Sequence, residues 1–162
     1  MSTKHTISVL VENEFGVLAR VSGMFAARGY NIDSLSVAPT TDPRYSRMTI
    51  LTTGSELIIE QILKQLNRLL DSVKVQDLTG ESVISREMIL VKVKSNPEAA
   101  SGITKIAENY GAKVVDQNPT SLTLEYSGEH EKANSFLGDL KPFGILEDVR
   151  TGSIAIQRGK VG

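Results

Sequence analysis

The residues best suited to binding a small molecule lie between Asn13 and Leu18, where a polar loop ends in a glycine and a helix begins. The first backbone N–H groups of a helix have no partner within it, and the helix dipole places partial positive charge there. Gly16, directly before Val17 and Leu18, therefore predicts a site for a carboxylate or a phosphate. Alternatively, Asn13 forms only an Asx-turn and Gly16 only supplies a positive φ angle.

Residues for catalysis or metal binding are sparse. The two histidines, His5 and His130, have no nucleophile or metal ligand at a recognisable spacing, and we interpret both as surface residues. Glu12 and Glu14 could serve acid–base chemistry or hold a hard cation, but beside a loop at a strand end we interpret them as solvated. Walker, HExxH, GxSxG and dinucleotide motifs do not occur. We predict no catalytic residue, no metal site and no cofactor in this chain.

The composition is that of an ordinary globular protein. The chain has 162 residues, 40% hydrophobic and 23% charged, which allows one medium domain or two of about 75 residues. A net charge of −1 gives no electrostatic footprint for nucleic acid or an anionic membrane, and cysteine is absent. No apolar run approaches the ~18 residues of a membrane span, and residues 1–5 do not resemble a signal peptide. We therefore expect a cytoplasmic protein.

The first half predicts the order βαββαβ, a ferredoxin-like unit. The predicted elements are strands at 7–11, 32–38, around 46–50 and at 73–78, with helices at 17–28 and after the capping-box spacing of 53–56. In the second half the same order repeats, with Asn96-Pro97 placed to cap and begin its first helix and Gly111 to end it. We predict an α+β fold of two tandem ferredoxin-like domains with antiparallel sheets and helices on one face. The domains are residues 1–78 and 87–162, joined by a linker at 79–86.

Five sequence runs resemble a known family. The motif N-x-x-G-V-L-x-R-V at residues 13–21 is similar to that of many ACT domains, which bind amino acids. The runs RGYNIDSLSVAPT at 28–40, with SRMTI at 46–50, REMILVKV at 86–93 and RTGSIAIQRG at 150–159 resemble the small subunits of acetolactate synthase. The resemblance covers nearly the whole chain, with one departure at Phe15, where relatives often carry proline. Because the second half lacks the Asn-x-x-Gly loop, we do not expect it to bind an effector in the same way.

The resemblance implies a site for a branched-chain amino acid, with valine as the expected effector. Such a ligand needs donors for its carboxylate, acceptors for its ammonium and an apolar pocket. We expect amides at the start of the helix to bind the carboxylate, amide side chains and strand carbonyls to bind the ammonium, and two apolar side chains to line the pocket. The expected site residues are Asn13, Gly16, Val17, Leu18, Asn31, Ser36 and Ala38.

The second predicted strand lies at an edge of a ferredoxin-like sheet. Exposed edges usually carry lysine, proline or a bulge against pairing, yet here Asp33 is the only charge. We predict that two copies pair along this strand through Ile32, Ser34, Leu35 and Val37, although a covering loop is the alternative. Pairing would bring Asn31 of one chain near the Asn13–Leu18 loop of its twin.

By resemblance, the partner is a large catalytic subunit that holds thiamine diphosphate, magnesium and FAD. That subunit condenses two pyruvates, or pyruvate with 2-oxobutyrate. The small subunit raises this activity and lets the effector inhibit it. A free-standing amino-acid sensor remains an alternative. An RNA-binding module of the same βαββαβ plan is disfavoured, because residues 5–11 carry no stacking aromatic side chain.

Overall fold

The computed structural model describes residues 1–80 and 82–159. The chain divides into two units, one formed by Met1–Ile84 with the segment from Ile154, the other by Ser85–Ser153. Glu81 of the predicted linker and residues 160–162 of the predicted second domain lie outside the described residues. Within the described ranges, no helix is long and apolar enough to cross a membrane.

The first unit has the predicted order of elements. They are β1 (Thr3–Glu12), α1 (Val17–Ala27), β2 (Ser34–Pro39), β3 (Tyr45–Gly54), α2 (Glu56–Arg68) and β4 (Ser72–Asp77). The strands form an antiparallel sheet in the order β2-β3-β1-β4. The prediction of a ferredoxin-like fold is confirmed.

The core of this unit follows from two periodicities. Alternate residues of β1 point to one face of the sheet, and α1 and α2 each bury one stripe against that face. The buried set is Ile7, Val9, Val11, Val17, Val21, Phe25, Met48, Ile50, Ile59, Ile62 and Leu66. Burying each such side chain stabilises the fold by roughly 1.5–3 kcal/mol.

The start of α2 differs from the capping-box prediction. Ser55 is the N-cap, and its Oγ accepts a hydrogen bond from the Ile58 N–H at 3.4 Å. The predicted spacing began at Thr53, which instead pairs with Lys4 in the sheet. Sheet pairing as far as Gly54 therefore delays the helix by two residues.

The second unit repeats the plan. Its elements are β5 (Val83–Lys94), α3 (Ala100–Tyr110), β6 (Lys113–Asn118), β7 (Ser121–Gly128), α4 (His130–Leu140) and β8 (Ile145–Arg150). The next strand along the chain, β9 (Ile154–Gln157), lies in the segment that groups with the first unit. The strand order is β6-β7-β5-β8, and β9 pairs with β5. A separate core contains Ile89, Val91, Val93, Ile103, Ala107, Leu122, Leu124, Tyr126, Ala133, Phe136 and Leu140.

Strand β5 begins inside the segment that the sequence assigns to a linker, residues 79–86. The alternation of more and less buried residues that makes β5 a strand already starts at Val83. The boundaries of the two predicted domains stay a prediction.

The prediction that both histidines lie on the surface is wrong for His5, which is only 4% exposed. It lies opposite Thr52, on the inward face of β1 that also carries Ile7, and its Nε2 is 2.8 Å from Thr3 Oγ1. The period of two along β1 already placed it there. His130 is partly exposed, and its Nδ1 lies 3.3 Å from Glu87 Oε1.

Candidate functional site

Gly16 shapes the start of α1. Its φ of 79° and ψ of −2° lie in the left-handed region, where a side chain is strained. The Arg20 N–H donates to Gly16 O at 2.9 Å, and no side chain of the described residues caps the helix. The N–H groups of Val17 and Leu18 therefore have no acceptor within the helix, an arrangement that is able to bind a carboxylate.

The two apolar residues after Gly16 have different environments. Val17 is 3% exposed and belongs to the core, whereas Leu18 is 45% exposed. The sequence predicts that both side chains line a ligand pocket, but the helical period places Val17 on the same buried stripe as Val21. Val17 can offer a ligand its backbone N–H, and only Leu18 can offer a side chain.

Asn13 joins two loops. Its backbone N–H donates to Arg44 O at 2.8 Å, and its Nδ2 donates to Pro43 O at 3.0 Å. The turn between β2 and β3 thus holds this side chain. Its Oδ1 accepts no hydrogen bond from any residue that the structure describes, so it can accept one from an ammonium group.

Arg20 holds the loop of residues 13–18 in place through two hydrogen bonds. Its Nε donates to Asp71 Oδ2 at 2.6 Å, and its NH2 group donates to Phe15 O at 3.2 Å. The hydrogen bond to Asp71 raises the pKa of the guanidinium above its ordinary value. Sequence reasoning missed this pair, because no local spacing connects residues on α1 and before β4.

Three carboxylates surround the same loop. Glu12, Glu14 and Asp71 each have an oxygen within 4.8 Å of the others. The sequence predicts the two glutamates as a solvated pair, and both are exposed. Asp71 is buried and bound to Arg20, so the negative charge that is open to solvent comes from Glu12 and Glu14. This charge attracts the ammonium group of a ligand and repels a carboxylate.

Asn31 is at the opposite end of the sheet from Asn13 within one chain. Ser34, which begins β2, pairs with Leu51, and Leu51 pairs with Thr6. Thr6 and Glu12 are six residues apart on β1, and Asn13 follows Glu12. Asn31 and Asn13 are therefore separated by about six residues of strand, or roughly 20 Å. Asn31 itself donates through Nδ2 to Asp33 Oδ1 at 2.8 Å.

The other predicted contacts lie on β2. Ser36 pairs with Thr49 and is half-buried, and Ala38 pairs with Arg47 and is exposed. Ala38 therefore lies at the end of the sheet nearer Asn13. One chain brings Ala38 toward the loop of residues 13–18 but leaves Asn31 far from it.

Strand β2 occupies an edge of the sheet, as predicted. Val37 is 41% exposed, and Ser34 Oγ is buried without a hydrogen-bond partner among the described residues. Ile32 lies before β2, and both Ile32 and Leu35 pack against the core. Ser34, Leu35 and Val37 are thus strand residues, while Ile32 belongs to the segment leading into the strand.

A cavity of about 550 Å³ is lined by Asn13, Glu14 and Phe15. The Phe15 side chain, at the position where the resemblance favours proline, is fully exposed. The predicted contacts Gly16, Val17 and Leu18 are not among the residues that line this cavity.

Comparisons with known proteins assign the class of each part. Residues 7–74 match the family model described as the AHAS small subunit-like ACT domain, so the first unit contains an ACT domain. Residues 86–159 match the family described as the small subunit of acetolactate synthase.

Full-length relatives agree with both matches. The acetolactate synthase small subunit of Aquifex aeolicus is 46% identical over 156 residues, which are 96% of this chain and 81% of that protein. The isozyme 3 small subunit of Salmonella typhimurium is 41% identical, covering 96% of each chain. The crystal structure of the small subunit from Thermotoga maritima superposes with a TM-score of 0.90 at 34% identity, covering 98% of this chain and 99% of that one. This chain belongs to the family of acetolactate synthase small subunits, and it is a regulatory subunit of that enzyme.

Proposed function

We propose that this chain activates a separate catalytic subunit and transmits feedback inhibition by a branched-chain amino acid, for which valine is the proposed effector. The observation that carries the proposal is the uncapped start of α1 behind Gly16, next to the open Oδ1 of Asn13. Donors for a carboxylate and an acceptor for an ammonium are thus carried by one loop and the helix turn that follows it.

The charges of the loop fit a zwitterion. The N–H groups of Val17 and Leu18 would receive the carboxylate, while Asn13 Oδ1 and the charge of Glu14 would receive the ammonium. The exposed side chain of Leu18 offers apolar contact to an aliphatic side chain. A purely anionic ligand would instead meet the repulsion of Glu12 and Glu14.

A homodimer would complete the site. If two copies pair antiparallel along β2, the beginning of one β2 lies beside the end of the other. This pairing would bring the partner's Asn31 toward the loop of residues 13–18, from which Asn31 of the same chain is remote. The effector would then bridge the β2–β2 seam.

Inhibition requires that the effector prefer one arrangement of the complex. A ligand with equal affinity for both arrangements shifts nothing. The catalytic subunit is proposed to hold thiamine diphosphate, magnesium and FAD and to condense two pyruvates, or pyruvate with 2-oxobutyrate. This chain then contributes the sensing site and the surface through which binding is communicated.

Reconstitution tests this function. The large subunit is assayed for acetolactate formation alone, with this chain, and with this chain plus valine, leucine or isoleucine. We expect activation by the chain and its reversal by valine. Failure of the chain to activate, or activation that none of the three amino acids reverses, would contradict the proposal.

A further inference from the structure

The second unit contains a cavity that the effector site does not use. It has a volume of about 550 Å³ and lies between the start of β5, the end of α3, the end of β7 and the start of α4. Its lining residues are Arg86, Asn109, Tyr110, Tyr126, Ser127, Gly128, Glu129, Lys132 and Ser135.

Tyr126 provides an unusual hydroxyl at this cavity. The residue is 5% exposed, and its ring packs against Phe136 at 5.0 Å and Tyr110 at 6.1 Å between centroids. Buried tyrosine hydroxyls usually have a hydrogen-bond partner. The Tyr126 hydroxyl donates to none of residues 1–80 and 82–159, and its oxygen is not one of the fully buried atoms that lack a partner, so it is open to the cavity. Neighbouring Tyr110, by contrast, donates to Asp139 Oδ2 at 2.7 Å.

Gly128 leaves room for that hydroxyl. A Cβ atom at position 128 would lie 2.2 Å from the Tyr126 hydroxyl oxygen, far inside contact distance. Both residues line the cavity. The absence of a side chain at Gly128 therefore lets the phenol reach the cavity wall.

The start of α4 adds donors to the same wall. Glu129 is the N-cap of this helix, and within the described chain no side chain caps it. Glu129 and Lys132, on either side of the first turn, both line the cavity. The unpaired N–H groups of this turn favour an anion, as does the helix dipole.

Among the residues that line the cavity, cations outnumber carboxylates. Two further carboxylates lie outside the lining: Asp139, which accepts from Tyr110, and Glu131 in the first turn of α4. Arg86 and Lys132 supply two cations, and Glu129 supplies one carboxylate that is 3.9 Å from Arg86 and 62% exposed. Glu87 does not offset these cations, because it is buried and already contacts Arg150 and His130.

We propose that this cavity is a second ligand site, for a small organic molecule that carries a phosphate or a carboxylate. The anionic group is held by Arg86, Lys132 and the first turn of α4, and the Tyr126 hydroxyl donates to it. The partly exposed ring of Tyr110 contacts the body of the ligand.

The test uses the full chain with neither effector nor catalytic subunit, so its outcome is independent of the proposed function. Inorganic phosphate and acetate are titrated separately at constant ionic strength, and backbone amide shifts are followed by NMR. We expect saturable shifts at Ser127, Gly128 and Lys132 with at least one of the two anions. The anion that saturates at lower concentration identifies the headgroup.

Three variants decide whether these residues form the site. Tyr126→Phe keeps the ring and should weaken Kd about tenfold, as expected for a lost hydrogen bond to a charged group. The double variant Arg86→Gln, Lys132→Gln should abolish saturation. Lys105→Gln, an exposed α3 residue that does not line the cavity, should bind as the parent does. Shifts that never saturate, or a Tyr126→Phe variant with unchanged affinity, would overturn the proposal.

Discussion

The Arg20 Nε donates to a carboxylate oxygen of Asp71 at 2.6 Å, which joins the first turn of α1 to the residue before β4. The same guanidinium also binds the carbonyl of Phe15. One side chain thereby fixes the loop whose free amides form the proposed effector site.

Replacing Arg20 by Gln should therefore loosen the loop without unfolding the protein. The Arg20 side chain is 47% exposed in this ion pair, so solvent screens the pair and we expect only a small fall in the free energy of unfolding. Valine affinity should fall by more than the loss of the ion pair itself, because valine binding must then order a loop that Arg20 no longer holds. Chemical denaturation and calorimetric titration measure the two quantities. Unchanged valine affinity would show that Arg20 does not organise the site.

Gly16→Asp should remove valine binding, and Gly16→Asn serves as its uncharged match. Both side chains tolerate left-handed backbone better than others do, so the strain at φ 79° is similar in the pair. An added Cβ would lie 2.9 Å from an Arg20 nitrogen, so both variants displace the Arg20 side chain and loosen the loop to a similar degree. Only the aspartate places a negative charge where the effector carboxylate must bind. We expect weaker binding in the asparagine variant and none in the aspartate variant; equal affinities would exclude electrostatic repulsion as the cause.

The sequence predicted the fold because its signals are local. Alternation in β1, the apolar stripes of the helices and Gly16 before Val17 each depend on neighbours a few residues away. The Arg20–Asp71 pair escaped prediction because its two residues meet only after the sheet brings β4 beside β1. For the same reason the sequence misplaced the cap of α2, where strand pairing as far as Gly54 overrides a capping-box spacing.

Val37→Lys should weaken the dimer proposed through β2. Lysine on an edge strand opposes pairing with another chain, because pairing would bury its charge. Val73→Lys is the matched control, since Val73 is 51% exposed on β4 at the other edge of the same sheet. Sedimentation velocity should show monomers for Val37→Lys at a concentration where the parent and the control are dimers. If Val37→Lys stays dimeric, the dimer uses another surface.

A fragment of residues 1–78 should keep the first sheet and dimerise. It contains β1 to β4 and ends at Leu78, whose N–H donates to Thr6 O at 2.9 Å. A unit of this size is only marginally stable, so folding is first checked by amide dispersion in NMR spectra, with residues 1–84 as a longer control. We expect the folded fragment to bind valine but not to transmit full inhibition to the catalytic subunit. Normal valine inhibition with the fragment would contradict the role proposed for the second half.

Mixed dimers test most directly whether the effector bridges two chains. Asn13→Ala and Asn31→Ala homodimers each lose one contact in every site. A heterodimer with Asn13→Ala in one chain and Asn31→Ala in the other, purified through two different tags, contains one doubly altered site and one unaltered site if the contacts come from opposite chains. We therefore predict that calorimetric titration of this heterodimer recovers one valine site of parental affinity. If it binds valine as weakly as the two variant homodimers do, each site lies within a single chain and the bridging account is wrong.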